Sequence, residues 1–306
     1  FNNLKLDQSI AKLKSRNLFG EIKNKIIEGS TKDQKIIEIE VEEKPTGEIS
    51  AGAGIGTNGG TFAFTVKENN WLGKGVSVAT SLNLSATSFT GGVQLTDPNY
   101  NFSGNSLTYY ATNTSNKKKD SGYRNNIIST GIGTRFEQYR DIYISPNLSL
   151  TFDDLKVEDS ASKALQKQKG TFTDLSFDYI VSADKRDRVY APTNGYYSSF
   201  SQKFPVYADS PFLQNTYAFS KYKTVTKDAI GTFKIFGTAI NGLDDKDVRL
   251  SKRTSLSSKR LRGFESGKVG PVDGGDFVGG NYAAAANFEV SLPNLLPEST
   301  KTDVGL

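Results

Sequence analysis

This chain offers few side chains for chemistry. It contains no histidine and no cysteine. Imidazole bases, thiolates, disulfides and the commonest zinc ligands are therefore excluded, and with them the usual Ser-His-Asp arrangement. What remains is charge pairing. Leu261-Arg262-Gly263-Phe264 puts a cation and an aromatic in a tight turn with apolar flanks. An arginine fork held away from bulk water wants a carboxylate, which can take two parallel hydrogen bonds. Glu289 falls on the polar side of an alternating segment just downstream and is the first candidate. Asp178 and Asp184 are second choices. Asp244, Asp245 and Asp247 gather carboxylates, but their spacing misses the calcium-loop pattern and reads as a solvated acidic loop. The sequence thus predicts a structural dock, not an enzyme, with no metal and no cofactor.

The elements that position this dock read as strands. From about Gly47 onward, apolar and small polar residues alternate in twelve candidate strands near 47–57, 60–70, 75–87, 90–98, 105–115, 123–138, 140–156, 170–183, 195–206, 215–226, 229–241 and 278–292. Ile142, Ile144, Leu148, Leu150 and Phe152 share one face of a strand, opposite Tyr143, Ser145, Asn147, Ser149, Thr151 and Asp153. Such alternation would also suit a soluble sandwich. Strand length decides, because sandwich strands run about 5–6 residues and a bilayer takes about 9–11. Edges are intolerable in lipid, so the whole sheet must close. The predicted fold class is mainly β: an antiparallel transmembrane β-barrel behind a small α+β module.

Composition agrees. The hydrophobic fraction of 36% is low for a chain apolar on both sheet faces and fits a barrel with one apolar face per strand. No run approaches the ~18 apolar residues of a membrane-spanning helix. Trp71, Tyr100, Tyr109, Tyr110, Tyr139, Tyr190, Tyr196 and Tyr207 cluster near strand ends, where rings suit a membrane interface. The net charge of +5 is spread out, with dense basic runs only at Lys117-Lys118-Lys119 and Lys259-Arg260-Leu261-Arg262. Without a recognition module, nucleic acid is not an expected partner. Methionine is absent even from position 1, so a processed chain or an excised piece is expected.

Residues 1–46 have a different texture. Asp7 is the expected cap of a short helix carrying Ile10 and Leu13, and Asn17-Leu18-Phe19-Gly20 breaks it. Strands are expected over 21–27 and 35–41, ending at Glu42-Glu43-Lys44-Pro45 because proline cannot donate to a ladder. Within 157–169, residues 161–168 read as a short helical turn. The connection over about 241–280 is too long for an ordinary loop. Its many glycines and the Leu-Arg-Gly-Phe turn suggest that it folds back into the lumen.

Several separated motifs together resemble the BamA-type outer-membrane protein assembly family. Val41-Glu42-Glu43-Lys44-Pro45-Thr46-Gly47 is similar to the end of its last POTRA domain. Gly52-Ala53-Gly54-Ile55-Gly56-Thr57-Asn58-Gly59-Gly60 and Asn69-Asn70-Trp71-Leu72-Gly73-Lys74-Gly75 resemble its first hairpin. The stretch from Asp184 through Asp187 and Pro192 to Gly195 resembles an Arg-Asp…Pro…Gly signature, and Leu261-Arg262-Gly263-Phe264 its loop-tip motif.

The resemblance implies residues 1–46 as the C-terminal part of a POTRA domain. It implies residues 47–306 as a sixteen-stranded barrel lacking its last strands, with the thirteenth starting near Asp303. It implies Arg262 held by Glu289, and a lateral seam at the first strand, where Gly52, Gly54 and Gly56 weaken packing. The implied function is ATP-independent folding and insertion of outer-membrane proteins. A TamA-like or two-partner-secretion transporter is the alternative. Implied partners are unfolded outer-membrane clients, accessory lipoproteins, and outer-membrane lipid and lipopolysaccharide. The implied location is the outer membrane of a Gram-negative bacterium, with the POTRA side in the periplasm.

Overall fold

The computed structural model describes residues 2–31, 34–56, 59–293 and 304–305. Thr57 and Asn58 of the glycine-rich motif, and Asp303, lie outside them. Helix α1 (Asn3–Ser15) is capped by Asn2, whose side-chain oxygen accepts from the Lys5 amide at 3.1 Å. Asp7 is therefore not the cap. It sits inside the helix, because Asn2 already satisfies a first-turn amide upstream. Leu6 and Ile10 are buried, and Asn17 turns into the left-handed region at φ 56° to end the helix. Strands β1 (Phe19–Glu28) and β2 (Lys35–Glu43) then pair as an antiparallel hairpin. Ile36, Ile37, Ile39 and Val41 of β2 stay exposed.

The next eleven strands each pair with their sequence neighbours. They are β3 (Gly47–Gly56), β4 (Gly59–Trp71), β5 (Val76–Ser85), β6 (Ser88–Asp97), β7 (Ser106–Lys118), β8 (Tyr123–Tyr139), β9 (Ile142–Val157), β10 (Gly170–Asp184), β11 (Gly195–Ala208), β12 (Phe212–Thr226) and β13 (Ala229–Gly242). A long loop follows, containing the two-residue strands β14 (Val272–Asp273) and β15 (Asp276–Phe277). Strand β16 (Tyr282–Leu292) pairs with β13, and β17 (Val304–Gly305) pairs with Ser291 and Leu292 of β16. The result is one 13-stranded antiparallel sheet, with β3 and β17 at its edges among the described residues. The twelve predicted strands are all present, and the mainly β fold class is as the sequence predicts. A short helix α2 (Lys163–Gln166), capped by Ser162, sits between β9 and β10.

Alternation gives the sheet two faces of opposite chemistry. The inner face carries the buried polar residues Asn125, Ser149, Thr151, Asp153, Asp174, Ser176, Thr232 and Thr238. The outer face leaves Leu148, Phe152, Phe200, Phe233 and Phe288 exposed. In water, each such side chain would leave apolar surface wet at a free-energy cost. A continuous band of them needs lipid. Two small apolar clusters lie at the rim away from the start of β3, here the distal rim. One joins Leu155, Ala161 and Leu165 to Leu250 and Val278; the other joins Phe212 and Ile240 to Val248. Both contain residues of the long loop, so the loop packs against the wall.

Candidate functional site

The loop over 243–281 returns from β13 and meets the inner wall at two places. The deeper contact is built on Val248, Arg249 and Leu250. The two apolar residues enter the clusters just described, which carries Arg249 to 3% exposure. Its Nη2 donates to Asp174 of β10, and its Nε lies 3.9 Å from Asp153 of β9. The guanidinium also stacks 4.2 Å above the Phe172 ring. Lys252 places Nζ 3.7 Å from both carboxylates. Ser251 Oγ donates to Asp153 at 2.6 Å, Asn125 Nδ2 to the other Asp153 oxygen at 3.3 Å, and the Leu250 amide to Gln168 Oε1 at 2.7 Å. Burial pushes the Lys252 ammonium down from its ordinary range, against the pull of Asp153. Two carboxylates thus face two cations in a buried site. Among the described residues, Asp174 Oδ1 and Arg249 Nε and Nη1 have no hydrogen-bond partner, and the ion pairs compensate the charges.

The second contact is the predicted one. Arg262 Nη2 lies 3.4 Å from Glu289 Oε1. The other Glu289 oxygen accepts from Lys234 Nζ of β13 at 2.6 Å. The side chain of Arg262 is 59% exposed and Phe264 is 57% exposed, so the turn is less enclosed than its apolar flanks suggest. Gly263 holds φ at +83°, a conformation that a side chain would strain. Leu261 is half-buried. Nearby, the Arg260 guanidinium sits 3.4 Å above the Phe236 ring, and Asn287 Nδ2 donates to the Arg260 carbonyl at 3.0 Å. Lys234, Phe236, Asn287 and Glu289 all face inward from β13 and β16, so this tip contact is a strip of inner wall.

The second-choice carboxylates are engaged elsewhere. Asp178 accepts from Asn147 at 3.0 Å. Asp184 takes two bonds from Arg186, at 2.8 and 2.6 Å. Asp247 pairs with Arg253 at 2.8 Å. Among the described residues, no group of metal-ligating side chains gathers at Asp244, Asp245 and Asp247 or elsewhere. Sequence reasoning missed Arg249 and Asp174. The available signal was an arginine between two apolar residues, together with aspartates on the inner face of adjacent strands.

Strand β3 is the third feature. It pairs with β4 along its full length, from Gly47 with Glu68 to Gly56 with Gly59. Its other edge has no partner among the described residues. Gly52, Gly54 and Gly56 all fall on the inner face with Glu48 and Ser50, and Ile49 and Ile55 point outward. A Cβ at Gly52 would meet nothing within 4 Å, and one at Gly54 would lie 3.2 Å from Thr61 Oγ1. Open space means that nothing requires glycine at position 52, whereas at position 54 the Thr61 hydroxyl would have to give by a few tenths of an ångström. The effect of the glycines is to leave the second half of the strand without inner side chains to grip a neighbour.

The comparisons with known proteins agree with this architecture. The Omp85 superfamily domain matches residues 70–305. The outer membrane protein assembly factor BamA of Neorickettsia risticii is 25% identical over 272 residues, 86% of this chain and 36% of that protein. The sorting and assembly machinery component 50 homolog of Mus musculus is 23% identical over 137 residues, 44% of this chain and 29% of that protein. Among solved structures, BamA from Haemophilus ducreyi lacking POTRA domains 1–3 matches with a TM-score of 0.87 at 19% identity, over 98% of this chain and 64% of that one. CdiB from Escherichia coli matches with a TM-score of 0.54 at 15% identity, over 97% and 57%. The chain spans about a third of the length of the bacterial relative, and the structural likenesses establish the fold.

Proposed function

Because this chain belongs to the Omp85 superfamily, we propose that it is the barrel-bearing part of an outer-membrane assembly factor. The factor folds β-barrel clients and inserts them into the outer membrane of a Gram-negative bacterium, without ATP. One observation carries the reading: β3, the first strand of the sheet, has Gly52 and Gly54 in succession on its inner face, so that stretch has no side chains to grip a neighbour. A strand with few gripping side chains can exchange one partner for another, and an edge so released is a template for an incoming strand. The N-terminal module, residues 1–46, is read as the end of a periplasmic POTRA domain. A domain of this kind would meet unfolded clients or accessory lipoproteins by strand addition.

The loop has a bracing role in this scheme. Arg262 on Glu289 sets the tip against β13 and β16. The Arg249 cluster ties the loop base to β9 and β10, on a separate stretch of wall. The loop then ties two separate stretches of the barrel wall together, with Leu261, Gly263 and Phe264 shaping the tip.

The test is reconstitution of the whole protein in liposomes with an unfolded barrel client, following the appearance of heat-resistant client. Acceleration without nucleotide, abolished by a crosslink that locks β3 to the last strand, is the expected result. Passage of polypeptide across the bilayer without accelerated client folding would instead assign a TamA-like or two-partner-secretion transporter.

A further inference from the structure

The outer face of the distal rim carries a charged row that the assembly function does not use. Lys117 of β7 is in register with Arg124 of β8, and Arg124 with Lys156 of β9. All three side chains are exposed. They point outward, because Thr112 and Tyr110 of β7, Ser129 of β8, and Ser149 and Thr151 of β9 line the inner cavity and hold the opposite parity. Neither Lys117 nor Arg124 has a carboxylate within ion-pair distance among the described residues. Lys156 shares Asp154 at 3.1 Å.

The height of the row follows from strand β9. Its outward positions Ile142, Ile144, Pro146, Leu148, Leu150 and Phe152 form an uninterrupted apolar line. Ten residue steps at about 3.4 Å, tilted by about 40°, rise about 26 Å, the height of a hydrocarbon belt. The next outward row is polar: Ser115, Asn126 and Asp154, again in mutual register. The cations come one row further out. The sequence along the wall is therefore apolar, then hydrogen-bonding, then cationic, which is the order of acyl chain, sugar and phosphate in a glycolipid.

Width selects among anionic lipids. Three adjacent strands at about 4.8 Å spacing spread the row over about 10 Å before the side chains extend. One phosphate is too small to engage it from end to end. A disaccharide headgroup with a phosphate at each end fits, and Asn126 and Ser115 stand below to meet its hydroxyls.

We propose that the Lys117–Arg124–Lys156 row is a binding surface for a bisphosphorylated glycolipid headgroup of the outer leaflet. The inference rests on the reading that the outer wall faces lipid with its distal rim outward. Such a surface would fix the barrel's depth and rotational setting in the leaflet on the side of β7–β9, away from the β3 edge. The wall that must stay still would then be anchored while the seam moves.

The experiment uses the purified protein in nanodiscs of neutral phosphatidylcholine doped with bisphosphoryl lipid A, monophosphoryl lipid A or phosphatidylglycerol. Lipids retained by the protein are counted by native mass spectrometry after release from the disc. Wild type is expected to retain bisphosphoryl lipid A in preference to the other two. Lys117→Gln, Arg124→Gln and Lys156→Gln together should weaken retention on the order of a hundredfold. The same number of changes at Lys5, Lys14 and Lys25, in the N-terminal module, should leave it unaltered. Heat-modifiable migration checks that each variant is folded. Equal retention by the row variant and wild type would overturn the proposal, as would equal retention of phosphatidylglycerol. A folded protein that stays out of the nanodiscs would overturn the lipid-facing reading itself.

Discussion

Two arginines hold the same loop, and their surroundings assign them different weights. Arg249 is 3% exposed between two buried aspartates. Removing one partner of a buried pair leaves uncompensated charge and costs about 3–5 kcal/mol. The Arg262 side chain is 59% exposed, and its partner Glu289 keeps Lys234 as a second cation. An exposed pair of this kind contributes about 0–1 kcal/mol. Arg249→Ala is therefore expected to expose the 243–281 loop to limited proteolysis in an otherwise heat-modifiable barrel, and Arg262→Ala to change cleavage much less. Equal protease sensitivity in the two variants would sink this ranking. A large loss of client insertion in Arg262→Ala with the loop still protected would show that the tip acts on the seam and not on docking. The pairing of Arg262 and Glu289 was approachable from sequence, because parity put Glu289 on the polar face of the following strand. The pairing of Arg249 with Asp174 was not, because the two lie 75 residues apart and only the fold sets the loop base beside β10.

At the scale of elements, the hairpin between β10 and β11 is the most tightly specified turn. Asp187 accepts from the backbone amides of Thr193 at 3.0 Å and Asn194 at 3.1 Å, and from the Thr193 hydroxyl at 2.6 Å. The Thr193 hydroxyl, followed by the Asn194 amide, holds the Asp187 carboxyl far below the usual carboxylate range. A depressed folded-state pKa stabilises the turn above the unfolded value of about 3.9, and that contribution fades as pH falls from there towards the folded value. Amide protection at Thr193 and Asn194 should accordingly drop below about pH 4. Asp187→Asn should flatten that dependence; protection that falls identically in both proteins would rule out Asp187 as the cause. Gly195 closes the same turn at φ +96°, where a Cβ would lie 2.0 Å from the Lys185 carbonyl oxygen. Gly195→Ala should destabilise the barrel by more than the ~1–3 kcal/mol typical of a strained backbone site. Gly52→Ala, with open space around it, should leave the melting temperature of the heat-modifiable form nearly unchanged. A similar loss in both variants would mean that β3 is more constrained than its geometry implies.

For the whole molecule, the solvent of the outer wall decides stability. Leu148 lies near the middle of the apolar line on β9, and Phe152 ends it. A lysine at the bilayer midplane costs about 2–4 kcal/mol and near the interface about 0–1. Leu148→Lys is therefore expected to lower the yield of folded protein in lipid bilayers far more than Phe152→Lys. Equal effects at both depths would place the bilayer boundary elsewhere. The loop contributes at this scale too. Val248, Leu250 and Val278 complete both apolar clusters of the distal rim, so releasing the loop would expose both clusters as well as freeing the tip.

Read alone, the sequence determined the number and order of the long strands and which face of each is apolar. Period-two alternation is local, and strand length against bilayer thickness leaves one solution. It also excluded imidazole and thiol chemistry outright. Only the tertiary structure decided which charges meet. It brought Arg249, Asp153, Asp174 and Lys252 into one buried site and left Arg262 half in solvent. It also set Lys117, Arg124 and Lys156 side by side in one outward row. These outcomes depend on strand register and on the path of a long loop, and both are fixed by contacts between residues far apart in the chain.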